Sequence, residues 1–138
     1  MSLWPLAIMA LFAPAHASAL AGPVAATVER VIDGDTFKAR AAIWIDQEIV
    51  ISVRLAEVDT PELARAACPA EKARAEEAQS FTAAFLAGRA ILTDIRHDKF
   101  AGRVVARVAN VAGDDLGEAL LRRGLAARGA GADWCPAS

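Results

Sequence analysis

Two aspartates lie at positions where carboxylates can hold a metal ion. Asp35 follows the turn-forming pair Asp33-Gly34, and Asp59 precedes a Thr-Pro step; both are predicted strand ends, where loops present ligands. The proline after Thr60 favours an extended conformation that turns the Thr60 carbonyl oxygen toward the same site. Two carboxylates, a carbonyl and waters are hard oxygen ligands, which suit Ca²⁺ better than a soft metal. The sequence has no histidine or cysteine cluster nearby, which disfavours zinc.

A glutamate and two arginines complete a set that fits phosphate chemistry. Glu62 lies three residues beyond Asp59, so we expect it to remain outside the metal shell and to take a proton from water as general base. Arg54 and Arg103 carry planar, permanently charged guanidinium groups. These groups match a phosphate and the charge that builds on it during in-line attack. The set predicts metal-assisted hydrolysis of a phosphodiester.

Each of these residues also has an ordinary structural explanation. Asp-Gly pairs are mostly plain turns, Asp-Thr-Pro-Glu is a common way to leave a strand or cap a helix, and arginines on strands are usually solvated. One such feature alone does not predict catalysis. Three carboxylates and two arginines that all fall at predicted strand ends favour a functional site.

The elements that must position these residues follow from the spacing of apolar side chains. Residues 24–32, 36–45 and 49–55 are predicted strands, the first two joined by the Asp-Gly turn. Residues 69–87 are a predicted helix, with charged residues that are interpreted as a solvated surface, including Glu71. Residues 90–97 and 103–111 are two more predicted strands, and a second helix begins at Asp115 and ends before Gly124.

This order predicts the fold class. Five short strands with a helix inserted between the third and fourth are typical of a partly open five-stranded barrel of the OB type, a β-rich α+β fold. The sequence has no repeat and no linker, so residues 24–135 are expected to form a single domain with two helices. Such a barrel carries a natural oligonucleotide-binding face.

The N-terminal residues differ in composition from the rest. Residues 1–28 contain no Lys, Arg, Asp or Glu, and the apolar run 3–12 precedes Pro14 and the triplet Ala15-His16-Ala17. This is the pattern of a secretory signal peptide over residues 1–17, cleaved after Ala17 or alternatively after Ala21. A membrane anchor is less favoured because a spanning helix needs about 20 apolar residues. We expect an exported protein, periplasmic or secreted, with no membrane attachment after cleavage.

The cysteine count agrees with export. Cys68 and Cys135 are the two cysteines of the chain, and an even number suits an oxidising compartment and one disulfide. Such a bridge contributes roughly 4 kcal/mol in the chain-entropy model. Two unrelated thiols are the alternative, which export disfavours.

Composition and charge exclude other classes. Hydrophobic residues make up 55% of the chain, which favours a compact globular domain over disorder. The formal net charge of -2 excludes a polycation that is held to nucleic acid by bulk charge. Phosphates must therefore be bound by a few placed arginines and a metal.

Three motifs carry a resemblance to a known family. They are VIDGDT at residues 31–36, VRLAEVDTPE at 53–62 and DKFAGR at 98–103. In matching element order they resemble the staphylococcal nuclease, or thermonuclease, family. The resemblance implies an endonuclease or exonuclease that cleaves DNA and RNA at the bond to the 5′ oxygen and leaves 3′ phosphates. It implies the same roles as above, with the aspartates and the threonine carbonyl on Ca²⁺, the glutamate as base and the arginines on the transition state.

The sequence departs from this family at two points. The third motif of the family reads Asp-Lys-Tyr-Gly-Arg, whereas Ala101 is an extra residue here, so Arg103 is assigned by motif rather than by spacing. The chain has no tyrosine, and we expect Phe100 to replace one of the tyrosines that stack on the nucleotide in the family. Lys99 is expected to reach a terminal or neighbouring phosphate.

Two other functions use the same barrel. A non-catalytic nuclease-like OB module that binds nucleic acid or protein predicts loss of metal and arginine positions, and this sequence keeps all five. A secreted structural or inhibitory domain would share the barrel, and only the same motifs distinguish it from an enzyme. We therefore predict a monomeric phosphodiesterase with DNA and RNA as substrates, Ca²⁺ as cofactor and no protein partner.

Overall fold

A computed structural model describes residues 18–137. The signal peptide predicted over residues 1–17 lies outside the described residues. Within 18–137 the elements are β1 (Ala19–Leu20), β2 (Val24–Asp33), β3 (Thr36–Trp44), β4 (Gln47–Leu55), β5 (Val58–Asp59), α1 (Pro69–Leu86), β6 (Arg89–His97), β7 (Arg103–Ala109), α2 (Leu116–Arg122) and β8 (Ala127–Arg128). No helix in this part of the chain has both the length and the apolar character needed to cross a bilayer.

Five of these strands close into a barrel. Their order is β6-β2-β3-β4-β7, and β7 pairs back with β6. Neighbouring strands are antiparallel except β4 and β7, which pair in parallel. The predicted five-stranded barrel with two helices is confirmed, although the ring is closed rather than partly open. The short strands β1, β5 and β8 were not predicted, because pairs of two residues leave no periodic pattern.

The barrel core follows from alternation along the strands. Phe37, Ala39 and Ala41 of β3 point inward and are at most 4% exposed, as expected when every second residue faces the same side. Both helices cover the barrel, with Leu86 and Leu120 in the same buried cluster. Each large apolar side chain buried in this way contributes about 1.5–3 kcal/mol to stability.

The turn between β2 and β3 lies one residue later than predicted. Asp33 pairs with Thr36, so the turn residues are Gly34 and Asp35. Gly34 does not adopt a positive φ; instead, a Cβ at this position would lie 2.7 Å from the Cβ of Ala78 in α1. Glycine is needed here for close helix packing rather than for turn conformation. The next residue, Asp35, is buried, with an exposed fraction of 5%.

Helix α1 begins next to a disulfide. Cys68 is its N-cap residue, and Pro69 occupies the first turn, where a missing N–H costs nothing. Cys68 is bonded to Cys135 across 67 residues, which ties the C-terminal tail to the start of this helix. The interpretation of Glu71 as a solvated charge is wrong, because this side chain is only 8% exposed. A helical pattern does not show which charged residue faces a loop that folds back over the first turn.

Candidate active site

One cleft of about 610 Å³ collects most of the side chains that the sequence singled out. It opens where β3 begins and β4 ends, since its lining includes the paired residues Thr36 and Arg54. The other predicted residues that line it are Asp35, Asp59, Glu62, Lys99, Phe100 and Arg103. The fold therefore brings together side chains from four separate segments of the chain.

Arg54 connects the two aspartates. Its Nη1 lies 2.5 Å from Asp35 Oδ2, and its Nη2 lies 3.2 Å from Asp59 Oδ1. Nη1 also donates to the Val58 carbonyl oxygen at 3.1 Å. Because a guanidinium group is rigid and planar, these contacts hold both carboxylates against the Arg54 side chain. The two predicted metal ligands thus lie side by side.

Backbone and hydroxyl donors fix the buried carboxylate of Asp35. The Thr60 N–H donates to Oδ2 and the Thr36 hydroxyl donates to Oδ1, both at 2.9 Å. Thr60 therefore touches Asp35 through its N–H group. The role of the Thr60 carbonyl oxygen as a metal ligand stays a prediction.

A third carboxylate, Asp33, also lines the cleft. It accepts a hydrogen bond from the Leu63 N–H at 2.9 Å. Burial raises the pKa of Asp33 above its usual value, and the charges of Asp35 and Asp59 add to the rise, against the lowering by the Leu63 bond and Arg54. Asp33 lies inside the first motif, where the Asp-Gly pair predicted only a turn. Negative charge is thus concentrated at this end of the cleft.

Arg103 reaches the cleft from the start of β7. Its Nε donates to Asp98 Oδ2, and the Lys99 N–H donates to Asp98 Oδ1 at 2.7 Å. Although partial burial raises the pKa of Asp98, the bonds from Arg103 and Lys99 lower it below its usual range. Asp98 was not predicted as a site residue. The sequence signal that could have indicated this ion pair is an acid and an arginine on either side of a short hairpin turn.

The extra residue Ala101 does not move Arg103 out of the site. Ala101 and Gly102 form the turn between β6 and β7, and Gly102 adopts a positive φ of 75° that glycine tolerates. The Arg103 guanidinium then lies 4.6 Å from the Phe100 ring centroid, and the Lys99 Nζ lies 5.2 Å from it. The Phe100 ring, which lines the cleft, therefore makes cation–π contacts with both Lys99 and Arg103.

Glu62 also lines the cleft. It is exposed and lies on the segment between β5 and α1. Arg65, on the same segment, also lines the cleft and was not predicted. An exposed carboxylate in the same cleft as the aspartates has the access to water that a general base needs.

The donor set fits calcium. Within residues 18–137 no group of three or more His, Cys, Asp or Glu side chains is arranged to hold a metal. The carboxylates of Asp35 and Asp59 are hard oxygen donors, which suit Ca²⁺ when water and further oxygen ligands fill the remaining positions. They do not match the closed nitrogen and sulfur sites of zinc.

Comparison with known families agrees with this geometry. The sequence model described as "Staphylococcal nuclease homologue" matches residues 52–132, which is more than half of the chain. The chain belongs to the staphylococcal nuclease homologue family. No curated protein matches it.

The family match covers only part of the site of this staphylococcal nuclease homologue. Arg54, Asp59, Glu62 and Arg103 lie inside the matched residues, whereas Asp35 lies before them. The connection between Arg54 and Asp35 therefore places the first motif in the same site as the matched segment.

The C-terminal tail of this staphylococcal nuclease homologue supports Asp59. The Ala132 N–H donates to Asp59 Oδ2 at 3.1 Å, and the Cys68–Cys135 bridge holds the tail in place. Cys68 and Cys135 do not line the cleft. The disulfide therefore contributes to the site through the backbone, a role that cysteine counting does not indicate.

Proposed function

We propose that this protein is a calcium-dependent phosphodiesterase that hydrolyses DNA and RNA and leaves 3′-phosphate ends. The observation that carries the proposal is the Arg54 guanidinium in contact with both Asp35 and Asp59, in a cleft that Glu62 and Arg103 also line. Family membership supports nuclease chemistry. The motif resemblance supports the choice of metal and the position of the cut.

Asp35 and Asp59, with the Thr60 carbonyl oxygen, are the residues that would hold Ca²⁺. Bound there, Ca²⁺ supplies Lewis acidity that polarises a phosphoryl oxygen and acidifies water. Arg54 keeps donors for substrate, because its contacts occupy three of the five N–H groups that a guanidinium carries. Its Nε–H and one Nη2–H are left for phosphate oxygens.

The reaction then divides among the residues of this chain. Glu62 takes a proton from the water whose oxygen forms the new bond to phosphorus. Arg54 and Arg103 donate to the phosphoryl oxygens, whose charge grows in the transition state. The bond from phosphorus to the 5′ oxygen breaks, the 5′ oxygen takes a proton from solvent water, and the phosphate stays on the 3′ side.

Lys99 and Phe100 extend the cleft along the substrate. Phe100 is 54% exposed, and a base that displaces a cation from its ring would stack there without sequence preference. Lys99 supplies a point charge for a neighbouring phosphate. Both residues are thus proposed to bind the chain next to the cut.

A calcium-titrated digestion tests the proposal. Single-stranded DNA and RNA are incubated with the purified protein in excess Ca²⁺ or in excess chelator, and the product ends are identified. We expect hydrolysis only with Ca²⁺, and 3′-phosphate ends that a phosphatase converts to 3′-hydroxyls. Folded protein that cleaves neither substrate in excess Ca²⁺ would contradict the proposal.

We also propose that the protein is exported and cleaved after Ala17. The disulfide supports an oxidising compartment. Strand β1 supports Ala17 over Ala21, because Ala19 and Leu20 pair with β6 and the Ala21 carbonyl accepts from the Asp94 N–H at 3.0 Å. N-terminal sequencing of protein from the periplasm or medium is expected to begin at Ser18. Protein that retains residues 1–17 inside the cell would overturn this assignment.

A further inference from the structure

Glu71 is a buried carboxylate that the proposed chemistry does not use. It lies in the first turn of α1 and is 8% exposed. Buried carboxylates are costly unless they are paired or hydrogen-bonded. Within residues 18–137 the recorded partners of Glu71 are backbone N–H groups, and no lysine or arginine forms an ion pair with it.

The two oxygens of Glu71 hold both ends of the segment that carries the proposed base. Oε2 accepts from the Glu62 N–H at 3.2 Å, and Oε1 accepts from the Ala67 N–H at 2.8 Å. Hydrogen bonds to an ionised acceptor are about twice as strong as neutral ones. One carboxylate therefore closes the loop of residues 62–67 at its base.

Helix capping does not account for this arrangement. In a capping box, the acidic residue of the first turn bonds the N–H of the N-cap residue itself. Here the N-cap is Cys68. Glu71 instead accepts from the N–H groups of Ala67 and Glu62, which lie one and six residues before Cys68. The side chain is directed at the loop rather than at the end of the helix.

A second carboxylate holds the same stretch of backbone. The Leu63 N–H donates to Asp33 Oδ1 at 2.9 Å, directly after the Glu62 N–H that Glu71 holds. The Glu62 side chain is exposed, so the contacts of its backbone determine the position from which the side chain extends into the cleft. Two successive amides fixed by buried or half-buried acids give that backbone a defined position.

We propose that Glu71 is a positioning residue that fixes the Glu62 backbone so that the Glu62 carboxylate faces the attacking water. The inference rests on the proposed hydrolase function. A misplacement of about 1 Å at a reacting group can cost about 10²-fold in rate. Release of one end of the loop therefore lowers turnover without touching substrate or metal ligands.

The test compares Glu71→Gln with Glu76→Gln. The first variant keeps one acceptor oxygen but sets an amide NH₂ against a backbone N–H, whereas Glu76 is an exposed glutamate of the same helix. We expect kcat to fall at least about 10-fold in Glu71→Gln, with KM and the Ca²⁺ concentration for half activity within about twofold. Glu76→Gln is expected to match the wild type in all three.

Amide hydrogen exchange gives a readout that does not depend on activity. The Glu62 and Ala67 amides are expected to exchange faster in Glu71→Gln than in the wild type, and at the wild-type rate in Glu76→Gln. Wild-type protein without hydrolysis would refute the proposed function, and exchange would still decide whether Glu71 holds the loop. Unchanged exchange in a folded variant overturns the inference.

A shorter acid covers the case in which Glu71→Gln fails to fold, as judged by circular dichroism. Glu71→Asp keeps the charge at the helix start but lacks one methylene, so it cannot reach both amides. Folded Glu71→Asp is expected to show the same loss of kcat and the same faster exchange. A folded variant of either kind with wild-type kcat contradicts a positioning role.

Discussion

Replacing Arg54 by lysine is expected to lower kcat for DNA hydrolysis by about 10²–10³-fold, the cost of losing one placed transition-state donor. A lysine carries a single point charge on a flexible stem. It cannot hold Asp35 and Asp59 in the fixed geometry of the Arg54 fork, whose contacts are 2.5 and 3.2 Å long. It also cannot present two parallel N–H groups to a phosphate. Steady-state rates in saturating Ca²⁺ measure the effect.

A matched control is available outside the cleft, on the neighbouring strand β7. Arg107 also contacts two carboxylates, Glu57 at 2.9 Å and Asp94 at 3.4 Å, but it does not line the cleft. Arg107→Lys is expected to leave kcat within about twofold, because exposed ion pairs contribute about 0–1 kcal/mol. Wild-type kcat in Arg54→Lys, or an equal loss in both variants, would refute the role assigned to Arg54.

Replacing Glu62 by glutamine is expected to lower kcat by about 10²–10⁴-fold, the range for removal of a general base. Glutamine has nearly the same shape but cannot take a proton from water. Glu62 does not contact Arg54, which holds the two aspartates. Binding of Ca²⁺ and of a single-stranded oligonucleotide should therefore persist. Calorimetry for binding and steady-state hydrolysis separate the two properties.

This variant also separates an enzyme from a binding module. A module without catalysis is indifferent to the change at residue 62, whereas a nuclease loses turnover and keeps affinity. Glu77→Gln, on the exposed face of α1, is the control for the same chemical change. Loss of Ca²⁺ binding in Glu62→Gln would place Glu62 in the metal shell, and retained turnover would require another base.

The charge balance of the cleft supports the proposed dependence on a metal. The lining contains four basic side chains, Arg54, Arg65, Lys99 and Arg103. It also contains four acidic ones, Asp33, Asp35, Asp59 and Glu62. Arginines alone therefore leave no excess positive charge for a phosphate chain, and a divalent cation at the aspartates would supply it.

The strand and helix order was predictable because it depends on neighbours in the chain. Alternating apolar residues revealed the five barrel strands, and Pro69 and Asp115 marked the two helix starts within one residue. Motif residues at strand ends were predicted to converge, and seven of them line one cleft. Periodicity, turns and caps are local properties, so they can be recognised in the sequence without knowledge of tertiary contacts.

The sequence by itself determined the barrel strands, the two helices and the residue types that can bind phosphate and a hard metal ion. Only the tertiary structure decided that β7 closes the ring by pairing with β6 as well as β4, that Gly34 packs against Ala78 with no room for a side chain, and that Glu71 is buried. It also brought the Ala132 amide to Asp59 across 73 residues. These features are contacts between distant segments, and their energies arise only when packing removes both partners from water.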